Sequence, residues 1–416
     1  MPFHAFLTVW LSSLVGHYTA LRLWKEILLV VCVVGALYLI VFDHKIRTHT
    51  LSRRLVWLIL IYCALNIIWG VVAYKEDSVT AKALGYGLIV DLRFVIFFLV
   101  TWSVALRLGR LRSHWQKLLM WPAVVVVGFG LLQIFILPHD FLRHFGYGSN
   151  TISVFETINH NKQYVRIAST LRGANPLGTY LLIPLSLLSL QLLGAKRNWR
   201  QVLFFVGTLI VLFFSFSRSA WIGAILSMVV IAAVRLKSEK ARKLAVLGSG
   251  VVVIIGIGLF AALHNNVRFE NFVFHTQTHS AVKTTSDQGH ALALRSGLHD
   301  LTHEPLGRGP GTAGPASVYN SPHPGRIAEN FYIQIGQETG WIGLLLFSLI
   351  TCGVGYLLWL RRSDPLALTL FASLIGITFI NMFAHAWADD TLAYVWWGLA
   401  GIAMATIPSS LKRDGK

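Results

Sequence analysis

The sequence predicts an all-α polytopic membrane protein with about twelve transmembrane helices. Hydrophobic residues make up 55% of the 416-residue chain and charged residues only 13%, about half the charged share of ordinary soluble domains. The apolar residues are gathered into runs of about 20, the length that a membrane-crossing helix needs. A soluble core is too small to bury so much apolar surface, so we expect one transmembrane domain over residues 1–416.

Twelve apolar runs are the candidate spans, and the basic residues between them predict their orientation. The first run lacks a basic segment ahead of it and an Ala-x-Ala cleavage site, so we interpret it as a retained span rather than a signal peptide. Clusters of Lys and Arg follow every second run, as in cytoplasmic loops, which predicts that both termini are cytoplasmic. The runs are residues 3–21, 26–42, 55–74, 84–106, 117–137, 176–194, 201–216, 219–235, 243–263, 330–359, 365–385 and 391–408.

Two longer segments then fall on the outer face, at residues 138–175 and 264–329, and the second is a large loop between helices 9 and 10. Both contain arginines, although positive charge is usually concentrated in cytoplasmic loops. Arginine on the outer side therefore predicts an anionic partner there. The net charge of +18 does not indicate nucleic acid, because most of the cations lie in short loops between apolar runs.

Three arginines are candidates for binding that anion. Arg218 lies in a polar break between two apolar runs, where a guanidinium either snorkels to the interface or binds phosphate oxygens in pairs. Arg172 precedes a helix with Pro176 near its first turn, so it lies beside a helix N-terminus, which attracts anions. Arg166, in the same outer segment, is either a third ligand or a loop charge.

Two further charges, Asp91 and Arg93, fall inside the fourth apolar run. Residues at i and i+2 do not face each other on a helix, so each needs a partner elsewhere in the bundle. They are interpreted as members of structural ion pairs, with a role in a substrate cavity as the alternative.

The outer loop at residues 264–329 contains a predicted helix and a glycine-rich turn. Apolar residues at helical spacing predict a helix over Ser286–His303, which Pro305 and the following glycines end. The run at residues 306–311 is either a simple loop or a turn that presents backbone N–H groups to an anion.

The same loop is rich in histidine. His275 with His279, and His299 with His303, have the i, i+4 spacing of two zinc ligands, but no third ligand is evident, so we predict no metal site. A histidine in this loop can still act as a base near neutral pH. Glu329 and Asn330 begin the following long helix, where a carboxylate is either stabilised by the helix dipole or serves as a general base.

The order of these motifs resembles the O-antigen ligase and O-antigen polymerase superfamily. Ser-Thr-Leu-Arg-Gly-Ala-Asn-Pro precedes one span, and Ser-x-Ser-Arg-Ser-Ala-Trp lies between two others. The large outer loop has an arginine followed by Pro-Leu-Gly-x-Gly-x-Gly, and then Glu-Asn-Phe-Tyr-Ile-Gln and Glu-x-Gly-Trp-Ile-Gly. The likeness covers about residues 165–350.

The resemblance implies a bacterial inner-membrane glycosyltransferase of the GT-C type, acting in lipopolysaccharide biosynthesis. Such enzymes pass a glycan from undecaprenyl diphosphate to an acceptor hydroxyl at the periplasmic face, with no metal, nucleotide sugar or other cofactor. Carried across by motif, Arg172, Arg218 and Arg295 would hold the diphosphate, with Arg166 as a further candidate.

One position departs from the family. Members often have His-Asn before the aromatic residue of the last motif, with the histidine as base, whereas this chain has Glu329 there. A carboxylate can also take the proton; alternatively, His323 does so from six residues upstream. The candidate catalytic residues are therefore Glu329, His323, Asn330 and Tyr332.

The resulting hypothesis is a ligase that transfers lipid-linked glycan to lipid A–core or another glycolipid acceptor within the membrane. A polymerase that extends lipid-linked repeats is the alternative, because it shares the donor and differs in the acceptor. A transporter or flippase of an anionic lipid or solute is a second alternative; it would favour inverted repeats, and none is evident.

Overall fold

The computed structural model of the protein describes residues 1–158, 161–194, 198–236, 238–240 and 286–405. Its regular structure is helical apart from one antiparallel hairpin, in which β1 (Glu156–Ile158) pairs with β2 (Asn161–Arg166). The chain is a helical polytopic membrane protein, as predicted. The helices are α1 His4–Val15, α2 Tyr18–Leu21, α3 Trp24–Phe42, α4 His44–Leu51, α5 Arg54–Lys75, α6 Ala81–Arg107, α7 Gly109–Ser113, α8 Trp115–Phe135, α9 Ala174–Leu192, α10 Trp199–Phe214, α11 Arg218–Arg235, α12 Ser286–His303, α13 Phe331–Leu360, α14 Pro365–Ile380 and α15 Asp390–Met404.

Six segments of the described chain are long and apolar enough to cross a membrane. They are Tyr18–Phe42, which joins α2 and α3, and the helices α5, α6, α8, α11 and α13. Helices α1, α10 and α14 are apolar but shorter. The ninth predicted run, residues 243–263, lies outside the described residues, so the count of twelve spans and the loop that follows stay predictions.

The first apolar run does not form the full span that we predicted. Helix α1 has 12 residues and ends at Gly16, whose φ is 81°; at 1.5 Å per residue it is about 18 Å long, too short for a hydrocarbon core of about 30 Å. The Thr170 hydroxyl donates to Pro2 O at one end of α1 (3.0 Å), and Ser13 lies against Gly146 at the other. Helix α1 therefore lies along residues 141–170, and the cytoplasmic location of both termini stays a prediction.

The structure divides into two compact units, and the prediction of a single domain stays a prediction. The first unit comprises Met1–Arg22, Met120–Ala293 and Ala372–Ala386. Its central helix is α9, which is buried along almost its whole length and packs against α10 and α11. Gly178 permits the close approach, because a Cβ there would lie 2.8 Å from Ala220 Cβ. Small residues serve this purpose where helices pack in membranes.

The second unit comprises Leu23–Leu119, Leu294–Phe371 and Trp387–Lys416. Helix α6 is its core and packs against α3, α5 and α15. Buried aromatic rings fill the space between α6, α13 and α15, with centroid distances of 5.2 Å for Phe94–Trp397 and 5.4 Å for Phe331–Phe347. Edge-to-face and tilted pairs of this kind add to the packing energy of their buried area.

Within the second unit, the glycine-rich run at residues 306–311 packs into a break in α13. The break is at Gly340, with φ 65° and ψ −166°. The N–H groups of Arg308 and Gly309 donate to Gln337 O and Glu338 O, at 2.9 and 2.7 Å. The run also passes close to α6, since a Cβ on Gly87 would lie 2.6 Å from Gly311 Cα. Glycine is required here by backbone contact.

This close approach predicts different effects for two glycines on the same helix. Gly87→Ala should lower the free energy of unfolding by about 1–3 kcal/mol, because the added methyl overlaps the Gly311 backbone. Gly85→Ala should be neutral or slightly stabilising, because nothing lies within 4 Å of its Cβ and alanine favours a helix. Thermal unfolding in detergent measures both, and equal midpoints for the two variants would contradict the packing.

Candidate functional site

The turn that carries Arg172 is built on a strained residue. Ser169 is fully buried and has φ 52°, a left-handed conformation that is uncommon for residues other than glycine. Helix α8 supports it: Ser169 N–H donates to Gln133 Oε1 (2.8 Å) and Ser169 Oγ donates to Val126 O (2.6 Å). The Arg172 side chain is exposed at the end of this turn, just before α9 begins at Ala174.

The turn that carries Arg218 also contains a buried residue in the left-handed conformation. Helix α10 ends at Phe214 and α11 begins at Arg218, which confirms the predicted break between the two apolar runs. Between them, Phe216 is 5% exposed with φ 49°, a genuine outlier for a bulky side chain. Arg218 is half-buried as the first residue of α11.

Arg166 links these two turns. Its Nε donates to Ser215 O in the second turn (3.0 Å), and its Nη2 donates to Asn175 Oδ1 at the start of α9 (2.5 Å). Its Nη1 lies 3.4 Å from Glu156 Oε2 of β1. Burial lowers the pKa of Arg166, the Glu156 carboxylate raises it, and the nearby Arg218 cation lowers it. All three guanidinium nitrogens of Arg166 therefore contact other residues of the protein.

Glu156 lies where the sequence predicted an anion. Its Oε1 accepts from Ala174 N–H at the N-terminus of α9 (3.4 Å), and a Cβ on Gly173 would lie 2.7 Å from the same oxygen. Backbone N–H groups and the helix dipole favour negative charge at this position. An internal carboxylate therefore lies at the predicted helix N-terminal site.

The second unit contains the remaining candidates. Arg295 is exposed on α12, which confirms the predicted helix through its end at His303. Glu329 is half-buried and has φ 53°. The side chain of Asn330 accepts from Ile333 N–H (3.0 Å) and so caps α13. Glu329 therefore precedes the cap, and the interpretation of it as a carboxylate in the first helical turn is wrong.

A charged network that the sequence did not reveal holds α12 beside this segment. Arg326 Nη2 lies 2.9 Å from Asp300 Oδ2 and 3.0 Å from Glu304 Oε2. Gln337 of α13 donates to the same Asp300 oxygen (2.7 Å). These residues fix α12 to the chain three residues before Glu329. Tyr332, on the first turn of α13, is half-buried with its ring 6.1 Å from that of Phe347.

The histidines in the described part of the chain do not form a metal-binding cluster. The rings of His299 and His303 stack with their centroids 3.9 Å apart. The described part of the chain contains no group of three or more His, Cys, Asp or Glu side chains placed to hold a metal ion. His275 and His279 lie outside the described residues. His323 is exposed, and its Nε2 donates to Asp77 O (2.9 Å), which leaves Nδ1 as the proton-accepting nitrogen.

Comparison with known proteins finds a family match over part of the chain. The family model described as O-Antigen ligase matches residues 203–348. The predicted resemblance to the O-antigen ligase superfamily is confirmed. The matched segment contains Arg218, Arg295 and Glu329, whereas Arg166 and Arg172 precede it. The comparison with curated proteins found no match.

The linkage by Arg166 predicts a specific loss of stability. Arg166→Lys should lower the free energy of unfolding by about 1–3 kcal/mol, since lysine cannot hold Ser215 O, Asn175 and Glu156 together. Arg143→Lys is the matched control because Arg143 is an exposed residue of the same unit. Thermal unfolding of the two variants in detergent measures the difference, and a wild-type midpoint for Arg166→Lys would refute the linkage.

Proposed function

We propose that this protein transfers a glycan from undecaprenyl diphosphate to a hydroxyl of lipid A–core or another glycolipid acceptor. The match of residues 203–348 to the O-antigen ligase family model supports a membrane glycosyltransferase of the ligase or polymerase type. The reaction breaks the bond between the anomeric carbon and the diphosphate, forms a new glycosidic bond, and releases the acceptor proton. We place it at the periplasmic face of the inner membrane.

The observation that carries this proposal is the pair of arginine-bearing turns in the first unit. Each turn contains a left-handed residue, Ser169 or Phe216. Strained residues of this kind persist where surrounding structure holds them, and they cluster at functional sites. Arg166 is a positioning residue in this proposal, because its hydrogen bonds hold the two turns together. Arg172 and Arg218 bind the diphosphate. Guanidinium groups suit this task because they bind phosphate oxygens in pairs and stay charged.

The diphosphate is a leaving group, so its charge must be stabilised as the bond breaks. Cations already in place supply that stabilisation without reorganisation during the reaction. In this proposal Arg295 contributes from α12, whose position the Arg326 network fixes. No metal is needed for the charge that develops.

The acceptor hydroxyl needs a base, and Glu329 is our assignment. Its carboxylate lies on a strained residue directly before the cap of a long helix, so its backbone position is defined. Asn330 contributes by fixing the start of α13, and Tyr332 follows on its first turn. His323 is the alternative, through Nδ1.

The arginines can be tested against lysine. Arg172→Lys and Arg218→Lys should each lower transfer at least about tenfold, because a point charge replaces a planar donor pair. The measurement is transfer from purified undecaprenyl-diphosphate glycan in proteoliposomes, with thermal midpoints to show that the variants fold. Arg143→Lys should retain full activity, and full activity in both test variants would sink the diphosphate assignment.

The two candidate bases predict different variants as inactive. If Glu329 is the base, Glu329→Gln lowers the turnover rate by about 10²–10⁴-fold with little change in donor binding, and His323→Gln stays active. The reverse pattern assigns the base to His323. Rates measured across a range of pH add a check, since the variant lacking the base loses the corresponding acidic limb.

The acceptor distinguishes a ligase from a polymerase. Purified protein given only lipid-linked glycan should be inactive until lipid A–core or a similar glycolipid is added. Longer lipid-linked chains formed from the donor alone would show polymerisation and contradict the ligase assignment.

A further inference from the structure

Asp91 and Glu338 form a fully buried pair of carboxyl groups in the second unit. Both residues are 0% exposed, Asp91 on α6 and Glu338 on α13. Their side chains are in hydrogen-bond contact. Neither oxygen of Asp91 has a hydrogen-bond donor among the described groups. Two carboxyl oxygens can form a hydrogen bond only when one of them carries a proton.

The neighbouring charges are already balanced among themselves. Arg93, two residues from Asp91, contacts Asp390 and lies 3.9 Å from Glu26. Lys25 lies 3.1 Å from Glu26 and 2.8 Å from Asp390. Two cations and two carboxylates thus make a neutral cluster. Arg93 acts on Asp91 only at longer range, so two ionised carboxylates here would leave two negative charges buried and uncompensated.

Other buried polar residues near the pair are uncharged. Tyr62 of α5 interacts electrostatically with both carboxyls, and Asn66, one turn along α5, is also 0% exposed. The side chains of Tyr62 and Asn66 are in hydrogen-bond contact with each other, and Gln334 Nε2 donates to Glu338 (3.4 Å). None of these side chains is cationic, so they supply no counter-charge to a second ionised carboxylate.

Glu338 is also the residue that holds the glycine-rich run. Its Oε1 accepts from Gly311 N–H (2.8 Å) and Ala313 N–H (3.4 Å), and its Oε2 accepts from Gln334 Nε2 (3.4 Å). Those backbone donors stabilise negative charge on Glu338, which places the proton on Asp91. Within the run at residues 306–311, the Gly311 N–H therefore serves this internal carboxylate, while those of Arg308 and Gly309 donate to backbone carbonyls of α13.

We propose that Asp91 and Glu338 are a proton-binding site, in which Asp91 holds one proton and donates it to the carboxylate of Glu338. The proton allows Glu338 to remain beside α6 while it holds the glycine-rich run in the break of α13. Loss of the proton would bring two negative charges into contact and weaken the hold on that run. The proposal does not rest on glycan transfer.

Two measurements on the wild-type protein test the proton directly. Infrared spectra should contain the carbonyl stretch of a protonated carboxyl group, and Asp91→Asn should remove that band. The thermal midpoint in detergent should fall as the pH rises from about 6 to about 9, a range above the ordinary pKa of a carboxyl group. The absence of the band, or its persistence in Asp91→Asn, would overturn the assignment.

Substitutions at Asp91 separate the proton from mere packing. Asp91→Asn supplies an amide N–H to Glu338 in place of the proton, so its midpoint should stay near wild type and should no longer fall at high pH. Asp91→Ala should lower the midpoint by several degrees at every pH. Asp43→Asn is the control, since Asp43 lies outside the pair as the N-cap of α4, and it should keep the wild-type pH dependence.

A metal cation is the competing occupant. If sodium chloride raised the wild-type midpoint above that in equal potassium chloride, and Asp91→Asn abolished the difference, the site would bind sodium and the proton assignment would fail. Equal midpoints in the two salts support the proton. Equal pH dependence in wild type and Asp91→Asn would likewise overturn the proposal, whatever the stability of the variants.

Discussion

Charged groups among apolar helices must be satisfied inside the protein, because lipid tails offer neither hydrogen bonds nor counter-ions. This constraint determines which helices of each unit come together. Arg93 requires Asp390, and so brings α6 against the first residue of α15. Glu338 requires the N–H groups of Gly311 and Ala313, and so draws a loop into a break in α13. Arg166 does the same for two turns of the first unit.

Local signals in the sequence predicted much of this. Helix α12 ends at His303 as predicted because a following proline acts within a few residues. The break before Arg218 is visible as a polar interruption between two apolar runs. The prediction that Asp91 and Arg93 do not pair with each other also follows from helical geometry, and the structure confirms it with separate partners for each.

The parts that the sequence did not predict depend on distance along the chain or on backbone conformation. The contact of Glu338 with Gly311 spans 27 residues, and no local pattern indicates it. The left-handed turn at Phe216 is invisible in the sequence because phenylalanine rarely adopts that conformation. The first apolar run was predicted as one full span because composition alone does not show that its helix is interrupted at Gly16.

The carboxylate of Glu156 at the start of α9 has a consequence for selectivity. Any anion that binds at this helix N-terminus must exchange with Glu156, which Arg166 and the Ala174 N–H already hold. Because one negative charge replaces another, a single free anion gains little binding free energy from this exchange. A ligand with two linked phosphates gains a second set of contacts for the same displacement. On this reasoning Glu156 disfavours free inorganic anions at the start of α9 relative to a ligand with two linked phosphates.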